Sequence, residues 1–246
     1  MTKETKRLSS GFTLVELLVV ITIIVVLAAL SFLGYGRIRA AADTALTVSN
    51  MRQMQVANVA YSTDHSGRYV TYRYDDPDGK RTYWYRNLEF LAYLTGNQEL
   101  VGKNAGDVNV NTVVPESMLD PIVVRAKKRS YTSLSASFGM NHEFMKTQQY
   151  ADGSRETFVR SSQLANASRT AAFVTATDSA ARYTSRKLWW DSPVEGKTTD
   201  GKIGFRHGDK AAVAYFDGST GLITKEDIDR FDSEGGRTNP FWKGDY

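Results

Sequence analysis

Apolar positions are concentrated at one end of this chain. From Phe12 to Leu33 it reads FTLVELLVVITIIVVLAALSFL, 22 residues whose only charge is Glu16. At ~1.5 Å rise per residue a helix of that length is about 33 Å long, enough to cross a ~30 Å hydrocarbon core. From Arg37 the pattern changes. The run RIRAAADTALTVSNMRQMQVANVAYSTDHSG has no proline and places apolar residues at Ile38, Ala41, Ala45, Val48, Met51 and Val59, with a break at Gln55. Met54, Ala57 and Tyr61 widen this stripe, as expected for a helix lying on a sheet. His65-Ser66-Gly67 supplies the stop signal. One helix from Phe12 to Ser62 would be about 76 Å long, with Gly34 and Gly36 as its flexible point.

Beyond Gly67 the chain is rich in aromatics, Gly, Ser and Thr in short β-like runs. Asp76-Pro77-Asp78-Gly79 predicts a turn, followed by an aromatic stretch that enters a short helix near Leu88–Leu94. Residues 96–115 read as a long loop. Strands are expected at Tyr131–Gly139, Ala171–Thr177, Lys202–Arg206, Ala211–Phe216 and Leu222–Thr224. The last two flank Asp217-Gly218-Ser219-Thr220-Gly221, a tight hairpin signal. One long helix followed by antiparallel strands gives an α+β fold with no second globular domain.

Composition narrows the chemistry. The 246 residues carry a net charge of +4, and residues 1–11 hold Lys3, Lys6 and Arg7 against Glu4. Without that segment the remainder carries only +2, which is not the balance of a nucleic-acid-binding protein. The absence of cysteine removes disulfide scaffolds, thiolate zinc sites and cysteine nucleophiles. Three histidines, His65, His142 and His207, leave little for a histidine-rich metal site. Neither a Gly-rich phosphate loop nor a G-x-S-x-G nucleophile motif occurs, so no enzyme is expected.

Three readings compete for the apolar segment. A cleavable signal peptide would be shorter and end in a small-residue site. A plain membrane anchor fits the length but gives Glu16 no purpose, although an ionisable residue in such a segment is a functional candidate. The third rests on Arg7–Leu18, RLSSGFTLVELL. It closely resembles the processing motif of type IV prepilins and type II secretion pseudopilins.

The resemblance implies cleavage after Gly11 by a membrane-embedded prepilin peptidase, N-methylation of the new terminal Phe12 and an assembly role for Glu16. The basic residues before the segment should stay cytoplasmic and the head should be exported. Many type IV pilins have a helix proline near the position of Leu33; this chain has none before Pro77.

A second resemblance covers the other half. His207, nine intervening residues, then Asp217-Gly218 reproduce the H-X9-DG element of a large group of pilin-like bacterial proteins. Asn50-Met51-Arg52-Gln53, Tyr61-Ser62-Thr63-Asp64, Gly67-Arg68-Tyr69 and Ser137–Asn141 echo the same group. It transfers architecture rather than catalysis. A strand of about six residues, roughly 20 Å long, separates His207 from Asp217. The expected roles are therefore a strand-end hydrogen bond for His207 and turn chemistry for Asp217-Gly218.

Other candidates are weaker. Asp75, Asp76 and Asp78, or Asp227, Asp229, Asp232 and Glu234, could hold calcium, as some pseudopilins do, but neither set has EF-hand spacing. Solvated loop carboxylates are the simpler reading. Tyr83, Trp84, Tyr85, Trp189, Trp190, Phe241 and Trp242 could form a ligand face, but core packing is the simpler account. Arg125-Ala126-Lys127-Lys128-Arg129 could touch DNA in an uptake pilus, although a solvated patch is the ordinary outcome.

The expected organisation is a leader over 1–11, a transmembrane and assembly helix over 12–33, its amphipathic continuation over 34–62 and a β-rich head over 63–246. The expected function is a structural subunit of a type II secretion pseudopilus. It would sit in the bacterial inner membrane by a single pass, with a cytoplasmic N-terminus and a periplasmic head, before joining a pseudopilus or surface pilus. Its partners would be the prepilin peptidase/methyltransferase, other pilin or pseudopilin subunits, the inner-membrane assembly platform and lipid. No cofactor and no specific nucleic acid are expected. The alternatives are a type IV pilus subunit for adhesion, motility or DNA uptake, and an anchored periplasmic binding module that never polymerises.

Overall fold

The computed structural model describes residues 12–126, 134–185, 187 and 201–243. Helix α1 spans Leu14–Asp64. Two compact units divide within it, the first ending at Ala41 and the second beginning at Ala42.

In the first unit every described residue from Phe12 to Ser31 is exposed. Helix α1 is long and apolar enough to cross a membrane by length and composition, which supports membrane anchoring. Its first turn is closed by residues that cap each other. Glu16 N–H donates to Thr13 Oγ1 at 3.2 Å, and Thr13 N–H and Oγ1–H both donate to Glu16 Oε2 at 2.8 Å.

In the second unit, strands β1 (Arg73–Asp75) and β2 (Arg81–Tyr83) are joined by the predicted Asp76–Gly79 turn, and helix α2 occupies Leu88–Thr95. Short helices follow: α3 (Val110–Val113), α4 (Pro121–Ala126) and α5 (Leu134–Ser137). Then come β3 (Phe138–Asn141), β4 (Lys146–Gln149), β5 (Arg155–Phe158), β6 (Ala171–Thr175), β7 (Ala180–Ala181), β8 (Lys210–Tyr215) and β9 (Thr220–Thr224). Helix α6 (Lys225–Ser233) closes the order. The strands make two sheets, β2-β1-β5-β4 and β7-β3-β6-β8-β9. All pairings are antiparallel except β3 with β7. This is an α+β, pilin-like arrangement.

The five-stranded sheet separates two cores. Met51, Met54 and Tyr61 of α1 share one with Trp84, Phe90, Phe138, Phe173, Ala212 and Ala214. Ala211, Val213, Ile223, Ile228, Phe241 and Trp242 form the other. Strand β8 is thus buried on both faces, which is why its sequence reads as an unbroken apolar run rather than an alternation.

The structure corrects several expectations. The predicted stripe on α1 is buried in part: Met51, Met54, Ala57 and Tyr61 are buried and Val48 partly so, whereas Ile38 is 71% and Val59 38% exposed, and Ala41 and Ala45 are also exposed. The buried face also takes in Asp43, Thr47, Asn50, Gln55, Asn58 and Ser62 at helical spacing. Gln55 is therefore part of that face and not a break in it.

Polar side chains can line this face because each finds a partner. Asn50 Nδ2 donates to the carbonyls of Ser117 and Leu119 at 2.8 and 3.0 Å. Gln55 Nε2 donates to Phe216 O at 3.1 Å, and Asn58 Nδ2 donates to Gln55 Oε1 at 3.2 Å. Asn58 Oδ1 accepts from Val70 N–H at 3.0 Å.

The expected strand at Tyr131–Gly139 begins only at Phe138. Leu134–Ser137 is helical, held by long-range bonds to Ser137, and residues 131–133 lie outside the described residues. Lys202–Arg206 forms no strand among the described residues: Ile203 makes an isolated bridge with Ala176, and Arg206 binds Asp120. The expected loop at 96–115 contains helix α3, whose cap is Asn109.

Candidate functional site

The residues marked by the N-terminal motif lie on and just before the start of α1. Gly11 is outside the described residues. Phe12 is exposed, and Glu16 sits in the first turn of α1 with Thr13 as its partner. A carboxylate at the third position of a helix, reciprocated by a threonine at the cap, is a capping box. The T-x-x-E spacing that encodes it is present in the sequence as Thr13-Leu14-Val15-Glu16, and the sequence reading missed it. Glu16 therefore has a partner within its own chain.

His207 and Asp217 are not brought together. They lie before and after β8, as the strand length predicts. His207 enters β8 through a turn in which Gly208 and Asp209 both take positive φ, 61° and 59°, and His207 N–H donates to Lys210 O at 3.0 Å. Consecutive left-handed residues favour glycine and tolerate aspartate. Asp217 opens the turn after β8. Its Oδ1 accepts from Ser219 N–H at 2.9 Å and Ser219 Oγ–H at 2.6 Å, and Gly218 takes φ 94°.

His207 contributes more than a strand-end hydrogen bond. Its Nε2 lies 3.4 Å from Asp120 Oδ2, and its Nδ1 lies 3.5 Å from Thr44 Oγ1 on α1. Arg206 Nε and Nη2 each approach the same Asp120 oxygen at 3.0 Å. The guanidinium also donates to Ala176 O at 3.2 Å and Ser137 O at 2.9 Å. Asp120 Oδ1 accepts from Ile122 N–H at 2.9 Å, while Asp120 N–H donates to Ser137 Oγ at 3.2 Å.

Burial works to raise the Asp120 carboxyl, but Arg206 and His207 beside it prevail and hold it down at about 2. Asp120 thus ties α4 and α5 to the Arg206-His207 corner. Sequence reasoning did not find Asp120 or Arg206. The available signal was Asp120-Pro121, an acidic cap before a proline that opens a helix.

Residues flanking β8 meet α1 near both ends of the strand. Near the first end His207 meets Thr44; at the other, the carbonyl of Phe216, next to Asp217, accepts from Gln55.

Most of the acids considered for calcium have other partners. Asp75 is buried, with nitrogens of Arg73, Arg81 and Arg155 at 3.1, 3.7 and 3.9 Å. Asp76 Oδ1 accepts from Lys80 N–H at 2.7 Å. Asp227 caps α6 through Thr224 and pairs with Arg230 at 2.8 Å, while Lys187 Nζ lies 3.1 Å from Asp229 and 2.9 Å from Asp232. Among the described residues no cluster of three or more His, Asp or Glu could hold a metal.

Of the aromatic set, Trp84, Phe241 and Trp242 are buried in the cores and Tyr83 and Tyr85 are partly buried. Trp189 and Trp190 lie outside the described residues. Arg125 is not a free surface charge, since both its Nη atoms bind the buried Asp43. Lys127, Lys128 and Arg129 lie outside the described residues.

Residues 6–32 match the prokaryotic N-terminal methylation motif. That match supports a type IV pilin-like protein, with processing by prepilin peptidase and pilin assembly in general. No curated protein and no solved structure matches the chain.

Proposed function

We propose that this chain is a structural subunit of a type II secretion pseudopilus and has no catalytic activity or cofactor. The supporting observation is the methylation-motif match over 6–32, continuous with the exposed apolar face of α1. In this reading prepilin peptidase cuts after Gly11 in the cytoplasm and Phe12 is methylated, which keeps its amine positive. The helix then waits in the inner membrane with the head in the periplasm. On assembly, Glu16 of one subunit pairs with the Phe12 amine of a neighbour. Two isolated charges in an apolar setting become one compensated pair, and breaking one partner of such a pair costs about 3–5 kcal/mol.

Mass spectrometry of the protein recovered from membranes tests processing: the expected N-terminus is methylated Phe12, and an intact leader or a cut elsewhere overturns the proposal. Electron microscopy of sheared filaments then separates a short secretion pseudopilus from a long type IV pilus. A correctly processed chain that never enters filaments would instead identify an anchored binding module.

A further inference from the structure

Just past the apolar run of α1 lies a short stretch that the proposed assembly role does not use: Tyr35, Arg37, Ile38 and Arg39. All four are exposed, Tyr35 at 63% and Ile38 at 71%. Among the described residues neither guanidinium has an ion pair or a hydrogen bond. The partner that helical spacing offers Arg39 is Asp43, four residues on. Both carboxylate oxygens of Asp43 are taken by Arg125. Between Glu16 and Asp43 the chain has no other acid. The stretch therefore carries two uncompensated positive charges beside an aromatic and an aliphatic side chain.

Its height along the helix decides what it meets. Counting from Phe12 at ~1.5 Å per residue, Tyr35 lies about 35 Å and Arg37 about 38 Å along the axis. An ordinary ~20° tilt brings Arg37 to about 35 Å. These heights exceed the ~30 Å hydrocarbon core and fall short of the ~40–45 Å bilayer with its headgroups. With Phe12 at one edge of the core, Tyr35, Arg37 and Arg39 stand among the headgroups of the opposite leaflet. Amphipathic rings and snorkelling cations are favoured there. At ~100° per residue Arg37 and Arg39 lie on nearly opposite sides of the helix and reach separate lipids. Arginines on the exported side work against the charge bias that orients a span, so their charge calls for a partner there.

We infer that Arg37 and Arg39 bind the phosphates of anionic phospholipids in the exported-side leaflet, each taking its own headgroup, with Tyr35 and Ile38 seated at the hydrocarbon boundary. Resting on the reading of α1 as a membrane anchor, this holds for a pseudopilus and a pilus subunit alike.

Electron spin resonance on the full chain in phosphatidylcholine vesicles tests it, with spin-labelled phosphatidylglycerol or spin-labelled phosphatidylcholine as the probe. Phosphatidylglycerol should be retained by the helix over phosphatidylcholine by about threefold or more at low salt, and by less at about 0.5 M salt. The double variant Arg37→Gln, Arg39→Gln should lose most of that preference, and Arg37→Lys, Arg39→Lys should keep it. Basic residues of the 1–11 segment act on both variants alike, so the difference between them reports these two positions. Both positions are exposed and outside both cores. Co-flotation with the vesicles is measured first. A chain that does not float overturns the membrane anchor and the lipid site with it. A chain that floats but shows no preference for phosphatidylglycerol, or the same preference in the glutamine variant, overturns the lipid site alone.

Discussion

Asp120 and Arg206 meet with both side chains out of solvent, and two guanidinium nitrogens lie 3.0 Å from one carboxylate oxygen. The pair joins segments far apart in sequence, so its loss should be felt by the whole second unit. Asp120→Asn leaves the Arg206 charge buried without its counter-ion and should cost about 3–5 kcal/mol in urea unfolding of the full chain in micelles. The same pair predicts an acid limit. Because the folded carboxyl sits at about 2 against an ordinary 3.8, its contribution is complete above about pH 4. It is lost as pH falls from 3.8 towards 2, where the folded state must also take up the proton. An Asp120→Asn variant should show a shallower loss over that interval.

A second pH dependence should appear at milder acidity. His142 stacks on Tyr72 with centroids 4.2 Å apart, and its Nε2 is buried without a partner among the described residues. Burial, the largest influence, holds its imidazole below the ordinary 6.5, and nearby Glu143 only partly opposes it. The folded state therefore resists protonation while the unfolded state accepts it. Stability is unaffected well above pH 6.5 and falls as pH drops through and below 6.5 towards the folded value. His142→Phe keeps a ring against Tyr72 and cannot titrate. Unfolding midpoints at about pH 7.5 and about pH 5.5 should differ less in that variant than in the parent.

Gly139 in β3 is required by a close approach. A Cβ built on it would lie 2.6 Å from Ala180 O and 2.7 Å from Ala176 Cβ. Met140, next to it, pairs with Ala180 of β7 in parallel register, so the backbone has little freedom to retreat. Gly139→Ala should destabilise the second unit by about 1–3 kcal/mol through overpacking. Gly221→Ala has nothing within 4 Å of the added methyl and serves as the control. Thermal melts of the two variants check the contrast.

The sequence showed the large features because they rest on local signals. The apolar run from Phe12 fixes a long helix, and the Asp76–Gly79 and Asp217–Gly221 turns were readable from residue type. Strand β8 was readable from its unbroken apolar run. The apolar part of the buried face of α1, Met51, Met54, Ala57 and Tyr61, was readable by hydrophobicity, but its polar part was not, because Asn50, Gln55 and Asn58 are buried there on hydrogen bonds to Ser117, Leu119, Val70 and Phe216. Those partners are distant in sequence, and burial of an amide depends on them alone. Asp120 and Arg206 were hidden for the same reason: 86 residues separate them. His207 was picked out by motif, but its proximity to Asp120 required the fold. At the N-terminus the reverse holds, since the capping partner of Glu16 lies three residues away and its spacing was in plain view.

That capping box gives a direct test of what Glu16 does in the proposed role. Its carboxylate has two candidate tasks, closing the first turn of α1 with Thr13 and pairing with the Phe12 amine of a neighbouring subunit. Three substitutions separate them. Thr13→Val removes the hydroxyl that caps the helix, at a cost of about 1 kcal/mol, and leaves the charge. Glu16→Gln keeps a side chain able to complete a capping box and removes the charge, while Glu16→Ala removes both. None alters Gly11 or Phe12, so all three should be cleaved and methylated normally. If the charge drives assembly, Thr13→Val should enter filaments close to the parent level. Glu16→Gln and Glu16→Ala should both fall by more than about tenfold, as loss of one partner of a buried ion pair implies. If Glu16→Gln assembles like the parent and Thr13→Val does not, the carboxylate acts as a helix cap and the intersubunit pairing is wrong. Immunoblots of sheared filaments against total membrane protein measure the ratio for each variant.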